Sequence, residues 1–577
     1  MTLDEKEWDR TLRLHNEHFG VDDEQPTSTN HVTSRRLAYL NEVKTNPLFG
    51  AEVLRQTIDD NGDQDSGSKV NSSEVLKQYA LLARVLEPGI EDQRLFLNVN
   101  TPWSAFLCGS QGSGKSYTLS CMLESSLKAS PLGRLEKPLA GLVFHYDTQG
   151  SVGSKQICEA AFLASKGIPV KVLVAPWNFE SMRKAYTNLK NVPTQPEVTA
   201  FCLREEHLNV GRMMRLMACE GESKNTLYMQ TVNMILRSLA LQNPHMAGLK
   251  YQEFKERIHN ENFSAQQQGL VDQRLSLLES FLYLPGKSTV ETLTFSKGSG
   301  DERKRQAARD KEKRTNRSIL NTMFSPHAWS FEPGSLTIVD LSCPFVDQDL
   351  ACDLYNIAMD LFLARRGTSN LIIALDEAHK FLTGSEAGNA FTESMLSVIR
   401  QQRHLGTSVI IATQEPTIAP SLLDLCSMTI VHRFTSPNWL KALESHLAGM
   451  TGATEGEKGA LGNIFNRIVE LDVGHALLFS PTLMLTVIKS KGGNKKASRL
   501  GTRHLKIQVR KRLTADGGVG FDLLVLRLVV VGLLLRQILS HDGRPDGESK
   551  KEMRIEAPMY TKPKFPQSMP FQLLTSQ

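Results

Sequence analysis

The stretch Gly109-Ser110-Gln111-Gly112-Ser113-Gly114-Lys115-Ser116 decides the fold, because it fits the pattern G-x-x-x-x-G-K-[ST] in full. The apolar run Ala105–Cys108 before it predicts a short buried strand. The following residues 117–128 place Leu119, Met122, Leu123 and Leu127 at helical spacing. A glycine-rich turn between a strand and a helix points backbone N–H groups at phosphate oxygens. The sequence therefore predicts a nucleotide-phosphate site, contacted by Gly109, Ser110, Gln111, Gly112, Ser113, Gly114, Lys115, Ser116 and Tyr117.

The composition is that of an ordinary globular protein. The chain has 577 residues, 40% of them hydrophobic, and a net charge of +5, which permits a nucleic-acid partner without demanding one. Its eight cysteines form no C-x-x-C pair, which favours free thiols of a reducing compartment over disulfides or metal ligands. The N-terminus lacks an apolar secretory signal. We therefore expect an intracellular protein, in the nucleus or the cytoplasm.

One segment raises the question of a membrane span. Phe521–Leu539 is strongly apolar, but the uncharged run between Arg527 and Arg536 is much shorter than the roughly 20 residues that cross a bilayer. We therefore expect a buried helix or strand there, and no membrane partner.

Short runs that are apolar throughout, separated by helical patterns, predict a parallel sheet covered by helices on both faces. After Ala105–Cys108 these runs are Gly141–Tyr146, Val170–Val174, Leu336–Leu341, Leu371–Leu375, Ser408–Ala412 and Met428–His432. The predicted fold class is therefore α/β, with a mostly parallel sheet and a helical insertion.

The predicted organisation has five segments. They are a polar, loosely structured N-terminal region (residues 1–98), the first part of a nucleotide-binding core (99–177), a helical insertion ending in a charged linker (178–330), the second part of the core (331–488), and a basic flexible segment with a C-terminal tail (489–577). Within the first segment, Ser34–Glu42 and Ser73–Leu86 are predicted to be short helices.

The second half of the site follows the strand Leu371–Leu375, which ends in Asp376-Glu377-Ala378-His379, the form of a Walker B motif. Mg²⁺ on a nucleotide is held by the P-loop hydroxyl, here Ser116, and by a Walker B aspartate, here Asp376. Glu377 would orient or deprotonate the attacking water, or would only cap the following helix. We expect His379 to be a solvent-facing helix histidine.

Three further residue types have weaker signals. Gln414 follows the apolar run Val409–Ala412 by two residues, in a position suited to sensing a γ-phosphate, with Thr413 as the second choice. Arg400, Arg403 and Arg433 could each supply an arginine finger, or could be ordinary solvated or paired arginines.

These motifs resemble the HerA/FtsK superfamily of RecA-like, ring-forming ATPases. The resemblance covers about residues 101–150 and 330–480, including the run Ile399–Gly406 and the turn after Ile430. It implies a RecA-like P-loop NTPase fold, with Lys115 on the β/γ-phosphates, Ser116 and Asp376 on Mg²⁺, Glu377 as the base and Gln414 as the sensor. It also implies a homo-oligomer, usually a hexamer, that acts on DNA. The letters D-E-A-H do not indicate a DEAH-type helicase, because too little chain remains for a second RecA-like domain.

Two basic stretches could contact nucleic acid. The run Asp301–Arg317 has mixed charges and is predicted to be a solvated helix or linker. The stretch Lys489–Arg512 has ten basic and no acidic residues, and a flexible basic arm binds polyanions by counterion release. It is the predicted contact with DNA.

The function predicted from the sequence is ATP hydrolysis with Mg²⁺ by a ring motor of the HerA/FtsK type. One alternative is a nucleotide-dependent switch or scaffold that binds ATP and protein partners without motor activity. Another is an inactive relic, because the composition changes abruptly near Gly517. The sequence does not distinguish ATP from GTP.

Overall fold

The computed structural model describes residues 39–59, 76–147, 157–217, 227–242, 248–283, 323–364, 369–418, 420–447, 458–489 and 495–515. Within these ranges sixteen strands form one mixed sheet. They are β1 (Leu48–Gly50), β2 (Tyr79–Val85), β3 (Arg94–Asn98), β4 (Ser104–Cys108), β5 (Gly133–Arg134), β6 (Ala140–His145), β7 (Val170–Val174), β8 (Glu197–Ala200), β9 (Leu336–Asp340), β10 (Leu371–Asp376), β11 (Thr407–Thr413), β12 (Met428–Val431), β13 (His475–Phe479), β14 (Met484–Lys489), β15 (Lys495–Arg499) and β16 (His504–Val509).

Helices follow most of the central strands. They are α1 (Ala51–Asp59), α2 (Lys115–Leu127), α3 (Phe179–Tyr186), α4 (Val210–Leu216), α5 (Leu227–Gln242), α6 (Tyr251–His259), α7 (Ala265–Ser280), α8 (Gln348–Leu363), α9 (Glu386–Arg400), α10 (Gln402–Leu405), α11 (Pro420–Leu425), α12 (Pro437–Glu444) and α13 (Lys458–Val469). A further helix covers residues 39–45. Short 3₁₀ helices cover Glu159–Lys166, Pro176–Asn178, Glu205–His207 and Ala378–Lys380.

The part of the sheet that carries the P-loop is parallel. Its strands lie in the order β12-β4-β11-β10-β6-β9-β7-β8, and each pairs in parallel with its neighbours. Beyond β12 the order continues as β13-β16-β2-β3-β1-β14-β15, in which every pairing except that of β1 with β14 is antiparallel. Strand β5 lies outside this order and pairs with β2.

The sheet has a hydrophobic core on each face, which explains why its central strands are apolar throughout. Along β6, Leu142 and Phe144 pack into one core while Val143 packs into the other. Side chains of a strand alternate between the two faces, so helices on both sides require both sets to be apolar. The predicted fold class is therefore confirmed.

The N-terminal region differs from its prediction where it is described. The predicted helix Ser73–Leu86 is wrong, because Tyr79–Val85 is strand β2, paired with β3 and with β16 near the other end of the described chain. The strands β1, β2 and β3 therefore belong to the sheet and are not a loose appendage.

The predicted helical insertion contains the helices α3 to α7, but also strand β8, which extends the parallel edge of the sheet. One face of α5 is apolar and buried, at Val232, Ile235, Leu236 and Leu239. The charge run Asp301–Arg317 lies outside the described residues.

The basic segment Lys489–Arg512 also differs from its prediction as a flexible arm. Its described residues form β15 and β16, and the segment ends by packing on the P-loop helix α2. There Arg510 and Arg512 have buried side chains, and Arg510 donates to Glu124 Oε2 at 2.8 Å. These two arginines are therefore not available to a nucleic acid.

No helix in the described ranges has the length and apolar character needed to cross a membrane. The apolar segment Phe521–Leu539 lies outside the described residues.

Candidate active site

The P-loop connects β4 to α2 in the geometry that the sequence predicts. Gly109, Gly112 and Gly114 have φ values of +152°, +72° and +108°, a region that side chains with a Cβ rarely adopt. At Gly109 the space is also closed, because a Cβ there would lie 2.7 Å from the Cβ of His432. The loop is thus shaped both by its own glycines and by the residue that follows β12.

Strand β12 holds the start of the P-loop in place. The carbonyl of Arg433 accepts hydrogen bonds from the backbone N–H and the hydroxyl of Ser110, each at 2.9 Å. His432 is fully buried beside it, and its Nε2 lies 3.0 Å from the Thr118 hydroxyl of α2. Burial and the charge of Lys115 lower the pKa of His432 to about 4. The neutral ring therefore donates from Nδ1 to the carbonyl of His475 and accepts at Nε2.

The first turn of α2 begins at Lys115 and presents N–H groups that have no partner within the helix. Lys115 Nζ donates to the Ser110 carbonyl at 3.1 Å. Burial lowers the pKa of Lys115, while the charges of Glu377 and Asp376 oppose that effect. The Lys115 ammonium therefore interacts electrostatically with the carboxylates of Asp376 and Glu377. Tyr117 instead faces the C-terminal segment, where its hydroxyl accepts from the backbone N–H of Arg512 at 2.7 Å.

The sheet register places the second half of the site beside the P-loop. Thr413 of β11 is the register partner of Cys108, the last residue of β4, and β11 lies between β4 and β10. Asp376 is the last residue of β10 and lies opposite His145 of β6. The carboxyl ends of these parallel strands therefore meet at one edge of the sheet, where ligands of open α/β sheets bind.

Asp376 is buried and asymmetrically bonded. Its Oδ2 lies 3.2 Å from His145 Nδ1 and 3.7 Å from the Cys158 sulfur, whereas Oδ1 is buried without a hydrogen-bond partner among the described residues. Burial alone would raise the pKa of Asp376, but the hydrogen bond and charge of His145, together with Lys115, hold it below its usual value. The reciprocal contact outweighs burial and raises the pKa of His145 to about 9. Asp376 is therefore an anion with one oxygen open for a cation.

These residues fit a magnesium ion. Mg²⁺ prefers oxygen ligands, and at nucleotide sites the protein usually supplies only one or two of them because phosphates and water supply the rest. The orphaned Oδ1 of Asp376 and the hydroxyl of Ser116 are such ligands, while the sulfur and imidazole beside Oδ2 are not the ligands that this ion prefers.

Glu377 has an unusual backbone, with φ of +54° directly after β10. Such a strained conformation in a non-glycine residue is typical of functional sites. Its Oε2 accepts a hydrogen bond from Gln414 Nε2 at 3.0 Å, and the same amide donates to Gln111 Oε1 in the P-loop. The predicted base and the predicted sensor are therefore in direct contact, and Gln414 also contacts the P-loop.

The prediction that His379 faces solvent is wrong. Its side chain is only 15% exposed, and Nδ1 lies 3.4 Å from Glu377 Oε2 and accepts from the backbone N–H of Gln414 at 3.4 Å. Burial lowers the pKa of His379 despite the nearby charge of Glu377. A neutral imidazole thus packs behind the predicted base.

The candidate arginines are placed unequally. Arg433 lies against the P-loop through its own carbonyl, with a half-buried side chain. Arg403 is exposed on α10, before β11, whereas Gln414 follows β11, so about 20 Å of strand separates the two ends. Arg400 is also exposed, with Glu393 3.9 Å away. The structure does not bring Arg403 or Arg400 to the site of their own chain.

Sequence reasoning missed His145 and His432. Both are buried polar residues at the ends of apolar runs. That position was the available signal, because the carboxyl ends of parallel strands form the edge of the sheet where ligands bind.

Neither a family model nor a curated protein matches this sequence. Among solved structures, the chain is similar to VirB4 of Thermoanaerobacter pseudethanolicus at 11% identity, covering 76% of this chain and 97% of that one, with a TM-score of 0.38. It is similar to the plasmid coupling protein TrwB, solved with ADP and Mg²⁺, at 12% identity, covering 72% and 86%, with a TM-score of 0.37. It is also similar to the genome packaging NTPase B204 of Sulfolobus turreted icosahedral virus 2 at 15% identity, covering 30% and 69%, with a TM-score of 0.19.

The mostly parallel sheet, with the P-loop between β4 and α2, is the α/β fold that the motifs predict. At these identities and TM-scores the likenesses carry no conclusion about activity or partners.

Proposed function

We propose that this chain binds ATP with Mg²⁺ and hydrolyses it. The observation that carries the proposal is the contact of Glu377 with Gln414 and of Gln414 with Gln111, which joins the P-loop, the residue after β10 and the residue after β11 at one edge of the sheet. Each residue follows a different strand, so their convergence is a property of the fold and not of one local motif.

In this proposal the P-loop amides and Lys115 bind the phosphates. Ser116 and Asp376 Oδ1 would hold the cation, which would neutralise phosphate charge when bound. Glu377 orients and accepts a proton from the attacking water, because it is the carboxylate beyond the metal ligand at the same strand end. His379 packs against Glu377 as a neutral group and so does not compensate its negative charge.

Gln414 serves as the sensor in this scheme. Its amide is shared between Glu377 and the P-loop, so a phosphate entering the loop competes for the same donor. Rearrangement of that amide would free the Glu377 carboxylate for the water. Hydrolysis would then depend on correct filling of the P-loop.

We further propose that the chain works as an oligomeric motor on DNA. The exposed position of Arg403, remote from the site of its own chain, suits an arginine that acts on a neighbouring subunit. The DNA contact expected at Lys489–Arg512 is restricted to its outward residues, since Arg510 and Arg512 are buried and Arg499 pairs with Glu42.

The second candidate is a nucleotide-dependent switch or scaffold. A Glu377–Gln414 hydrogen bond that persisted with nucleotide bound would favour it, because the carboxylate would then not be free to activate water. ATP hydrolysis and sedimentation, each measured with and without duplex and single-stranded DNA, distinguish the two. A motor forms a ring and turns over faster with DNA, and Arg403→Ala lowers its turnover only in the assembled state. Nucleotide binding by a monomer without turnover under every condition would support the switch.

A further inference from the structure

A buried polar cluster lies behind the Walker B aspartate, and the proposed hydrolysis does not use it. It consists of His145 at the end of β6, Cys158 before the 3₁₀ helix Glu159–Lys166, and Asp376 at the end of β10. All three are buried, with exposed fractions of 1%, 0% and 3%. One ligand atom from each lies within 4.8 Å of the other two.

The cluster makes the two oxygens of Asp376 different. Both His145 Nδ1, at 3.2 Å, and the Cys158 thiol, at 3.7 Å, donate to Oδ2. Oδ1 has no partner among the described residues. Rotation of the carboxylate about its χ2 angle would break both contacts, so they fix the position of the oxygen that has no partner.

His145 is itself held from neighbouring elements. Its carbonyl accepts from the Tyr355 hydroxyl of α8 at 2.6 Å, and it lies opposite Asp340 of β9 in the sheet register. Asp340 in turn accepts from the Tyr186 hydroxyl, which accepts from the backbone N–H of Cys158 at 3.0 Å. The two donors to Asp376 are therefore each held by neighbouring elements, His145 by β9 and α8 and Cys158 by α3.

We propose that His145 is a positioning residue for magnesium: it holds Asp376 by Oδ2 and so presents Oδ1 to the cation. The inference rests on the proposed function, because the cation is the one that accompanies the nucleotide. Groups that orient a metal ligand in this way change metal affinity by about 10- to 100-fold when they are removed.

The test measures binding of a fluorescent ATP analogue as Mg²⁺ is titrated, and again in EDTA. His145→Leu keeps much of the side-chain volume but removes the donor. His145→Asn keeps a donor, because the asparagine Nδ2 takes the place of the imidazole Nδ1. Tyr355→Phe is the matched control, because it removes a buried hydrogen bond to the same residue but leaves the imidazole in place.

For His145→Leu we expect the Mg²⁺ concentration at half-saturation to rise at least tenfold, with metal-free affinity within twofold of the wild type. For His145→Asn we expect a rise of less than about threefold. Tyr355→Phe should lower the melting temperature and leave the Mg²⁺ half-saturation unchanged. If His145→Leu does not fold, Cys158→Ala takes its place and shifts half-saturation in the same direction by a smaller factor.

Two results would overturn the positioning role. One is a Mg²⁺ concentration at half-saturation in His145→Leu that equals that of the wild type. The other is an equal shift in Tyr355→Phe, which would indicate a purely structural effect. Zinc that copurifies in stoichiometric amount and is lost in Cys158→Ala would also contradict it. The imidazole of His145 would then coordinate zinc instead of donating a hydrogen bond to the Asp376 carboxylate. If the wild type itself shows no Mg²⁺-dependent binding, the proposed function fails instead.

Discussion

Gln414 Nε2 and Glu377 Oε2 are joined by a hydrogen bond of 3.0 Å across the ends of two neighbouring parallel strands. The contact links the residue that would activate water with the residue that would detect the γ-phosphate. Because Gln414 also donates to Gln111 of the P-loop, it couples three segments that are distant in sequence. A substitution at any one of the three residues should therefore lower the rate of ATP hydrolysis more than it lowers the stability of the fold.

Replacing Gln414 by alanine should lower ATP turnover by about 10²-fold, a magnitude typical of losing one preorganised donor. ATP affinity should change by less than about threefold, because the P-loop amides and Lys115 remain. Steady-state hydrolysis and analogue binding on the same preparation separate the two effects. Equal losses of affinity and turnover would show that Gln414 is a binding residue.

Lys115→Ala should weaken ATP binding at least tenfold, because a hydrogen bond to a charged group contributes about 1.5–3 kcal/mol. Lys128→Ala is the matched control. Lys128 directly follows the same helix α2, at its other end, and its ammonium donates to the Lys166 carbonyl. Fluorescence titration should show a shift for the first variant and none for the second. Similar ATP affinities in the wild type and both variants would contradict the assignment of the phosphate site to the P-loop.

The buried ion pair between Glu124 and Arg510 should be essential to stability. Its side chains are only 3% and 6% exposed, and Glu124 also accepts from the Thr514 backbone N–H at 2.9 Å. Removing one partner of such a pair costs about 3–5 kcal/mol. Urea unfolding of Arg510→Ala should show this loss. Glu180→Gln, which breaks a surface pair with Arg183, should cost at most about 1 kcal/mol.

The same pair predicts a dependence of stability on pH. Burial tends to raise the pKa of Glu124, but hydrogen bonds from Thr514 and the charge of Arg510 hold it below its ordinary value. A carboxyl with a lowered folded-state pKa stabilises the fold above its unfolded-state pKa, near 4.3, and loses that contribution as the pH falls below it. Below about pH 4.3, the urea concentration at the midpoint of unfolding should therefore decrease more steeply with falling pH in the wild type than in Glu124→Gln. Parallel curves would contradict this assignment.

Gly109→Ala should disrupt the P-loop far more than Gly112→Ala. Both glycines have positive φ, but a Cβ at Gly109 would overlap His432, whereas nothing lies within 4 Å of a Cβ at Gly112. We expect the first variant to lose ATP binding and the second to lose about 1 kcal/mol of stability with binding retained. Nucleotide titration and thermal unfolding of both variants measure this difference. Equal effects would mean that the space beside His432 is not limiting.

The sequence predicted the elements whose signal is local. The P-loop, the buried strands around it and the pair Asp376-Glu377 depend on short patterns, and the structure places them as expected. Strand β2 was mistaken for a helix because a short apolar run is compatible with either structure. Its conformation is set by pairing with β16, more than four hundred residues away.

The errors in the site have the same physical origin. The local sequence around His379 predicts a solvent-facing side chain, because it contains no information about the loop after β11. That loop covers the imidazole. The segment Lys489–Arg512 was predicted to be a flexible arm that contacts DNA, because a run of basic residues does not reveal a buried acid such as Glu124 on a distant helix. Ion pairs between segments distant in sequence therefore determine which basic side chains are buried, and local composition does not predict them.

The most direct test of the account is ATP hydrolysis by the wild type, Glu377→Gln and the matched control Glu415→Gln. Glu415 lies two residues after β11 and is exposed, so its substitution makes the same chemical change beside the site. We predict that Glu377→Gln binds Mg²⁺–ATP as the wild type does but loses turnover by about 10²- to 10⁴-fold, while Glu415→Gln keeps it. Hydrolysis by Glu377→Gln at the wild-type rate would contradict the assignment of the base and, with it, the proposed mechanism.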